Sequence, residues 1–198
     1  MKYLFILFCV LIASCSDSGS GTDNELDENS LQKAIEALQS QNYDTAIEKF
    51  NDAIEDESVE TQALAYAGLG FTQMNIYKLD DAFTSFETGL ALNVDSAKNA
   101  NLAGLCFIEF AKNKSFSNAI SHGNNLLERD SEFSLLFGLN IDFKDIRLVM
   151  AQSFYALKLY EDCLKEVQRL GKLSELNSSD ENIETHLLNA LKILITEL

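Results

Sequence analysis

From residue 30 onward, apolar positions recur at intervals of three and four, in stretches of roughly a dozen residues broken by short polar turns. That spacing predicts amphipathic helices joined in pairs. The clearest pair spans Ala63–Asn93, where segments at about Ala63–Ile76 and Leu79–Leu92 flank a Tyr77-Lys78 turn. Small residues stand where the two helices would touch: Gly70 on the first, Ala82 and Gly89 on the second. Tyr66, Leu69, Phe83 and Phe86 are large enough to fill the space around them. The stretch reads as a helical hairpin.

The hairpin recurs. Ala46 and Ala82 lie 36 residues apart, and Leu102-Ala103-Gly104-Leu105-Cys106-Phe107 parallels Tyr66-Ala67-Gly68-Leu69-Gly70-Phe71 at the same offset. A repeated pair of helices at about this period resembles the tetratricopeptide (TPR) repeat. Tyr66 matches the aromatic that opens the motif, Leu69-Gly70 its Leu-Gly pair, Ala82 its central alanine, Phe86 its second-helix aromatic and Gly89 its last small position. An unrelated helical hairpin is the alternative. The resemblance implies an all-α, superhelical solenoid of about four helical hairpins plus a C-terminal capping helix, over residues 30–198. The chain has no proline, although the family often closes a repeat with one. Ser58 and Val94 stand near that place.

The first repeat, Ser30–Ser58, carries Tyr43, Ala46, Phe50 and Ala53 in its second helix, while Lys33-Ala34 replaces Leu-Gly in its first. A degenerate terminal repeat is expected where one face meets solvent. The third runs from about Ser96 to Asp130, and Phe116 and Ala119 place one extra residue in the turn near Asn113–Ser115. Ser131–Asp142 then interrupts the period with an apolar insert: Phe133, Leu135, Leu136, Phe137, Leu139 and Ile141. It either packs locally against repeats three and four or forms a lid or contact ridge for a partner. Repeat four, Phe143–Gly171, has Tyr160 and Cys163 at the motif positions, and Gly171 is a suitable stop for its last helix. Ser178-Ser179-Asp180-Glu181 offers a capping box. It would open a final helix at about Asp180–Glu197, similar to the solvating helix of the family.

Met1–Ser16 reads as a targeting segment. Lys2 precedes an apolar run, Tyr3–Ile12, too short for a span of roughly 20 residues. The run ends in Ile12-Ala13-Ser14-Cys15, which resembles a bacterial lipobox. Residues 1–14 are thus expected to be a lipoprotein signal peptide, with Cys15 lipidated. Ordinary secretory cleavage after Ser16 is the alternative. Ser16 in place of aspartate implies, by resemblance to the enteric sorting rule, the outer membrane, with the chain facing the periplasm. Residues 15–29 are polar and acidic with only Leu26 as a large apolar side chain after Cys15, a composition that predicts a flexible tether. Its ends would lie roughly 20 Å apart as a coil.

Fifteen basic and 31 acidic residues leave a net charge of −16, which repels phosphates and argues against nucleic acid. Of the four cysteines, Cys9 leaves with the signal, Cys15 carries lipid, and Cys106 and Cys163 occupy small-residue positions of repeats. His122 and His186 have no ligand cluster in the sequence around them. No metal and no cofactor is expected. No catalytic motif occurs, so no enzyme is predicted.

In TPR proteins the first helix of each repeat lines a groove. Carried residue by residue onto this chain, the resemblance implies a peptide-binding groove of Phe71, Met74 and Asn75, then Phe107, Phe110 and Ala111, then Gln152 and Tyr155. The alternative is that these residues only pack together. Leu31 and Ile35 replace the Lys/Asn/Arg clamp with which some relatives grip a carboxylate. The resemblance therefore implies a membrane-anchored TPR scaffold for protein or peptide segments in the bacterial envelope, part of an outer-membrane assembly or biogenesis complex. The rival is an accessory lipoprotein for glycan binding or uptake, disfavoured by the absence of tryptophan.

Overall fold

The structure, a computed structural model, describes residues 30–55, 58–112 and 115–198. Within them the chain folds as four helical hairpins and a last helix. They are α1 (Ser30–Gln39) with α2 (Tyr43–Ile54), α3 (Val59–Asn75) with α4 (Leu79–Ala91), α5 (Asp95–Ala111) with α6 (Phe116–Arg129), and α7 (Phe143–Ala156) with α8 (Tyr160–Arg169). The last helix is α9 (Ile183–Glu197). There is no strand among the described residues, only an isolated antiparallel bridge between Ser134 and Asp142. Each helix packs on the next in sequence, and α1, α3, α5, α7 and α9 also touch in series. The first helices of the repeats therefore form one layer, and the second helices lie against it.

The turns explain how the hairpins close without proline. After α1, the Gln41 N–H donates to Leu38 O and the Asn42 N–H to Ala37 O. The same pair of bonds recurs at Tyr77-Lys78 and at Lys158-Leu159. Gln41, Tyr77 and Lys158 accordingly adopt φ of about 60°. This is the left-handed stop that tightens a helix end and satisfies its last carbonyls. Gly171 ends α8 in the same way, with φ +80°, as its position in the sequence suggests. The link between α5 and α6 spans residues 112–115, one more than 76–78 between α3 and α4, matching the extra residue read from the offset. Ser58 caps α3 by accepting the Thr61 N–H at 3.3 Å. Val94 precedes α5 without a side-chain cap.

Packing rests on glycines meeting phenylalanines. A Cβ on Gly70 would approach the Phe86 ring to 2.5 Å, and Gly104 abuts the same ring from the next repeat. Gly68 bears likewise on Phe50. These fits place Phe50, Phe71, Phe86, Leu102, Leu105 and Met150 in one core running from α1 to α7. A second core joins α7, α8 and α9 through Leu148, Cys163, Leu164, Val167, Leu187 and Leu191. Cys106 and Cys163 are free and buried, and burial pushes both thiols up to about 12.

The last helix starts later than the sequence suggests, and the Ser178–Glu181 box is not what opens it. Asp180 spends its carboxylate on the Asn182 N–H at 2.8 Å within a turn, and Asn182 gives no side-chain cap. The capping box stands instead at the start of α7. There Asp142 accepts from backbone N–H groups and Asp145 Oδ2 accepts the Asp142 N–H at 2.8 Å.

Candidate protein-docking site

The residues expected to line a groove lie on α3, α5 and α7, within the layer of first helices. Their surroundings differ. Phe71 is 2% exposed and packs edge-on against Phe86, ring centroids 5.0 Å apart. Met74, Phe107 and Phe110 are half-buried against the first core, and Phe110 stands 5.9 Å from the Phe116 ring. Asn75 is exposed, but its amide is turned back onto Phe71 O at 2.9 Å. Gln152 and Ala111 are half-buried. Tyr155 belongs to the other core, 5.8 Å from Tyr160. Burial first, then the Glu184 carboxylate on α9, raises the phenol of Tyr155 above its ordinary value. Phe71, Phe107, Phe110 and Tyr155 thus do not form one open strip, because Phe71 is buried and Tyr155 packs against the second core beside Tyr160.

Beside Phe86, the insert helps to cover Phe71. Residues 130–142 do not pack against repeats three and four alone. They leave α6 at the edge carrying the α2–α3 and α4–α5 links and reach Gln39, which closes α1 at the opposite edge. Gln39 Nε2 donates to Phe137 O at 3.0 Å. The Phe137 ring, 1% exposed, lies edge-on to Phe50 at 6.4 Å and to Phe71 at 6.1 Å. Phe133 and Leu135 are buried in the same core, while Ser134, Leu136 and Gly138 between and beside them face solvent, Leu136 at 70% exposure. Burial alternates from Phe133 to Phe137, as along a segment with one covered face, and the chain is already turning at 136–138. The segment turns back on itself, with the Leu135 N–H donating to Ile141 O at 2.9 Å and the Phe143 N–H to Phe133 O at 2.8 Å.

Gln39 is the residue that reading for helical motifs misses, and the burial of alternate residues Phe133, Leu135 and Phe137 of the insert goes unread with it. The signal was present as period-two alternation at 133, 135, 137, 139 and 141. It is overshadowed by the overall apolarity of the insert.

No three or more His, Cys, Asp or Glu side chains come together to hold a metal among the described residues. No helix among them is long and apolar enough to cross a membrane. The lipobox and tether residues, 1–29, lie outside the described residues.

Compared with solved structures, the chain is similar to a tetratricopeptide repeat protein from Parabacteroides merdae ATCC 43184. The TM-score is 0.58 at 15% identity, over 85% of this chain and 59% of that one. No family model matches the sequence, and no curated protein does. The fold is a TPR-like, all-α solenoid.

Proposed function

We propose that this chain is a lipid-anchored scaffold of the bacterial cell envelope that docks protein segments on its layer of first helices. The observation that carries the reading is that layer: α1, α3, α5 and α7 stack in series and present half-buried Met74, Phe107, Phe110 and Gln152. Partly covered aromatic and apolar side chains on a rigid surface are the kind of anchor that supplies most of the affinity at protein interfaces. Supporting the location, Cys15 follows Ile12-Ala13-Ser14 after an apolar run, and Ser16 follows Cys15. Acyl chains on Cys15 would hold the chain stably at a membrane, which by the sorting resemblance is the outer membrane. Residues 16–29 would let the repeats reach partners in the periplasm, as subunits of outer-membrane assembly or biogenesis complexes do.

Two measurements test this. A photo-crosslinking residue at Met74, Phe110 or Gln152 should capture defined proteins in intact cells, whereas one at exposed Glu48 on α2 should not. Capture only from Glu48 would move the interface to the other layer. Independently, Cys15→Ser should abolish fatty-acid labelling and release the protein from membranes. A Cys15→Ser chain that still fractionates with outer membranes would overturn the anchoring.

A further inference from the structure

Resting on the reading that the first-helix layer docks protein segments, we infer that residues 133–137 are a ligand carried in cis. The site they fill, formed by Gln39, Phe50 and Phe71, takes a peptide with large apolar side chains at alternate positions that turns at its third, as 136–138 do here. Three observations describe what the site recognises. The edge-on rings of Phe50 and Phe71 accept an aromatic side chain, as the 6.4 and 6.1 Å centroid distances to Phe137 show. The Gln39 amide captures a main-chain carbonyl at 3.0 Å, a contact blind to the side chain at that position. Gly138 follows at φ +67° directly against the Gln39 side chain. A ligand must therefore turn away there with a residue that tolerates the left-handed region.

The occupant can be exchanged for physical reasons. Within it the Leu135 N–H donates to Ile141 O, and at its end the Phe143 N–H of α7 donates to Phe133 O. The segment leaves by giving up the Gln39 bond to α1, the Phe143 bond to α7 and the burial of alternate side chains. What it uncovers, Phe71 above all, then needs new apolar cover. A partner segment with the same alternation supplies that cover. Because the loop is tethered, it competes at an effective concentration on the order of millimolar. Apparent affinity for a free peptide falls by the fraction of time the site is open.

The test uses a fluorescein-labelled peptide of residues 131–142, SEFSLLFGLNID, titrated by anisotropy into the full chain and into Phe137→Ala. Truncating Phe137 loosens the loop while leaving the receiving residues intact. The variant should bind the peptide at least about tenfold tighter than the wild type does. A peptide carrying serine at the positions of Phe133 and Phe137 should not bind. A folded Phe137→Ala chain that binds the peptide no better than the wild type overturns the inference, whether or not cells yield a crosslinked partner. If Phe137→Ala does not fold, Gly138→Ala, at an exposed position with φ +67° where a Cβ would meet the Gln39 side chain, loosens the loop while leaving Gln39, Phe50 and Phe71 in place and is read in the same way. In the wild type, amides of 133–141 should exchange with deuterium through an opening faster than global unfolding. Exchange only with global unfolding would make the loop a fixed part of the core. Peptide binding without any captured partner supports the site and counts against the scaffold reading instead.

Discussion

Single residues set the tolerances of this fold, and the glycines show it most directly. The Phe86 ring lies between Gly70 and Gly104, one from each of two successive repeats. Gly70→Leu would force its side chain into that ring and should cost roughly 1–3 kcal/mol or more through overpacking. A change at exposed Lys78 should be near neutral. Equal melting temperatures for the two variants would show that the close approach at Gly70 is not limiting. A second residue-scale effect concerns pH. Burial lowers the His122 imidazole below its ordinary 6.5, outweighing the Glu109 and Glu87 carboxylates, which pull it upward. The folded state thus prefers the neutral ring, and the unfolded state binds the proton first. Stability is complete above pH 6.5 and is lost as pH falls below it, until the folded ring also protonates. Thermal melts on both sides of pH 6.5 should show a shallower decline for His122→Gln than for the wild type.

Helices and turns are the next scale, and here the chain departs from what proline or glycine would provide. Three of the hairpin turns put Gln41, Tyr77 and Lys158 in the left-handed region, which side-chain-bearing residues enter at roughly 1–2 kcal/mol. Glycine escapes that penalty but adds about 0.5–1 kcal/mol of backbone entropy to be lost. Lys158→Gly should therefore leave the melting temperature unchanged or raise it, and a clear drop would mean that the lysine side chain contributes contacts of its own. The α7–α8 hairpin has a different fastening. Glu166 on α8, 3% exposed, is held by Arg147 of α7 at 2.9 Å and by Arg169 of its own helix. Removing one partner from a buried pair costs up to about 3–5 kcal/mol because the other charge stays behind. Arg147→Ala should approach the lower part of that range, since Arg169 remains. The half-exposed Arg169 should matter less, about 1 kcal/mol, because solvent screens it. Chemical denaturation of both variants gives the order, and a larger loss from Arg169→Ala would reverse the assignment.

For the whole molecule, the segment 130–142 changes how the parts are coupled. A solenoid is held by contacts between neighbours, so its ends can unfold separately. Here Gln39 and Phe137, 98 positions apart, are bonded directly, and one core runs from α1 to α7. Replacing residues 133–141 by a flexible Gly-Ser linker should therefore broaden the urea transition or split it in two, with α1–α2 melting first. A single transition of unchanged slope would indicate that nearest-neighbour packing alone couples the repeats.

The sequence by itself determined the elements and their pairing. Helical periodicity, the small-against-large match of Gly70 with Phe86, and the stop at Gly171 are all written within one or two repeats, and a solenoid needs little more. Even the one-residue lengthening between α5 and α6 is readable as a shift in offset. The tertiary structure alone decided where the 131–142 insert goes and hence which aromatic residues are open. Hydrophobic burial has no direction: the alternation at 133, 135 and 137 says that one face is covered but not by what. The covering surface, made by Gln39, Phe50 and Phe71, comes together only when α1, α2 and α3 have stacked, so Phe71 reads as a groove residue in the repeat motif and is a core residue in the folded chain.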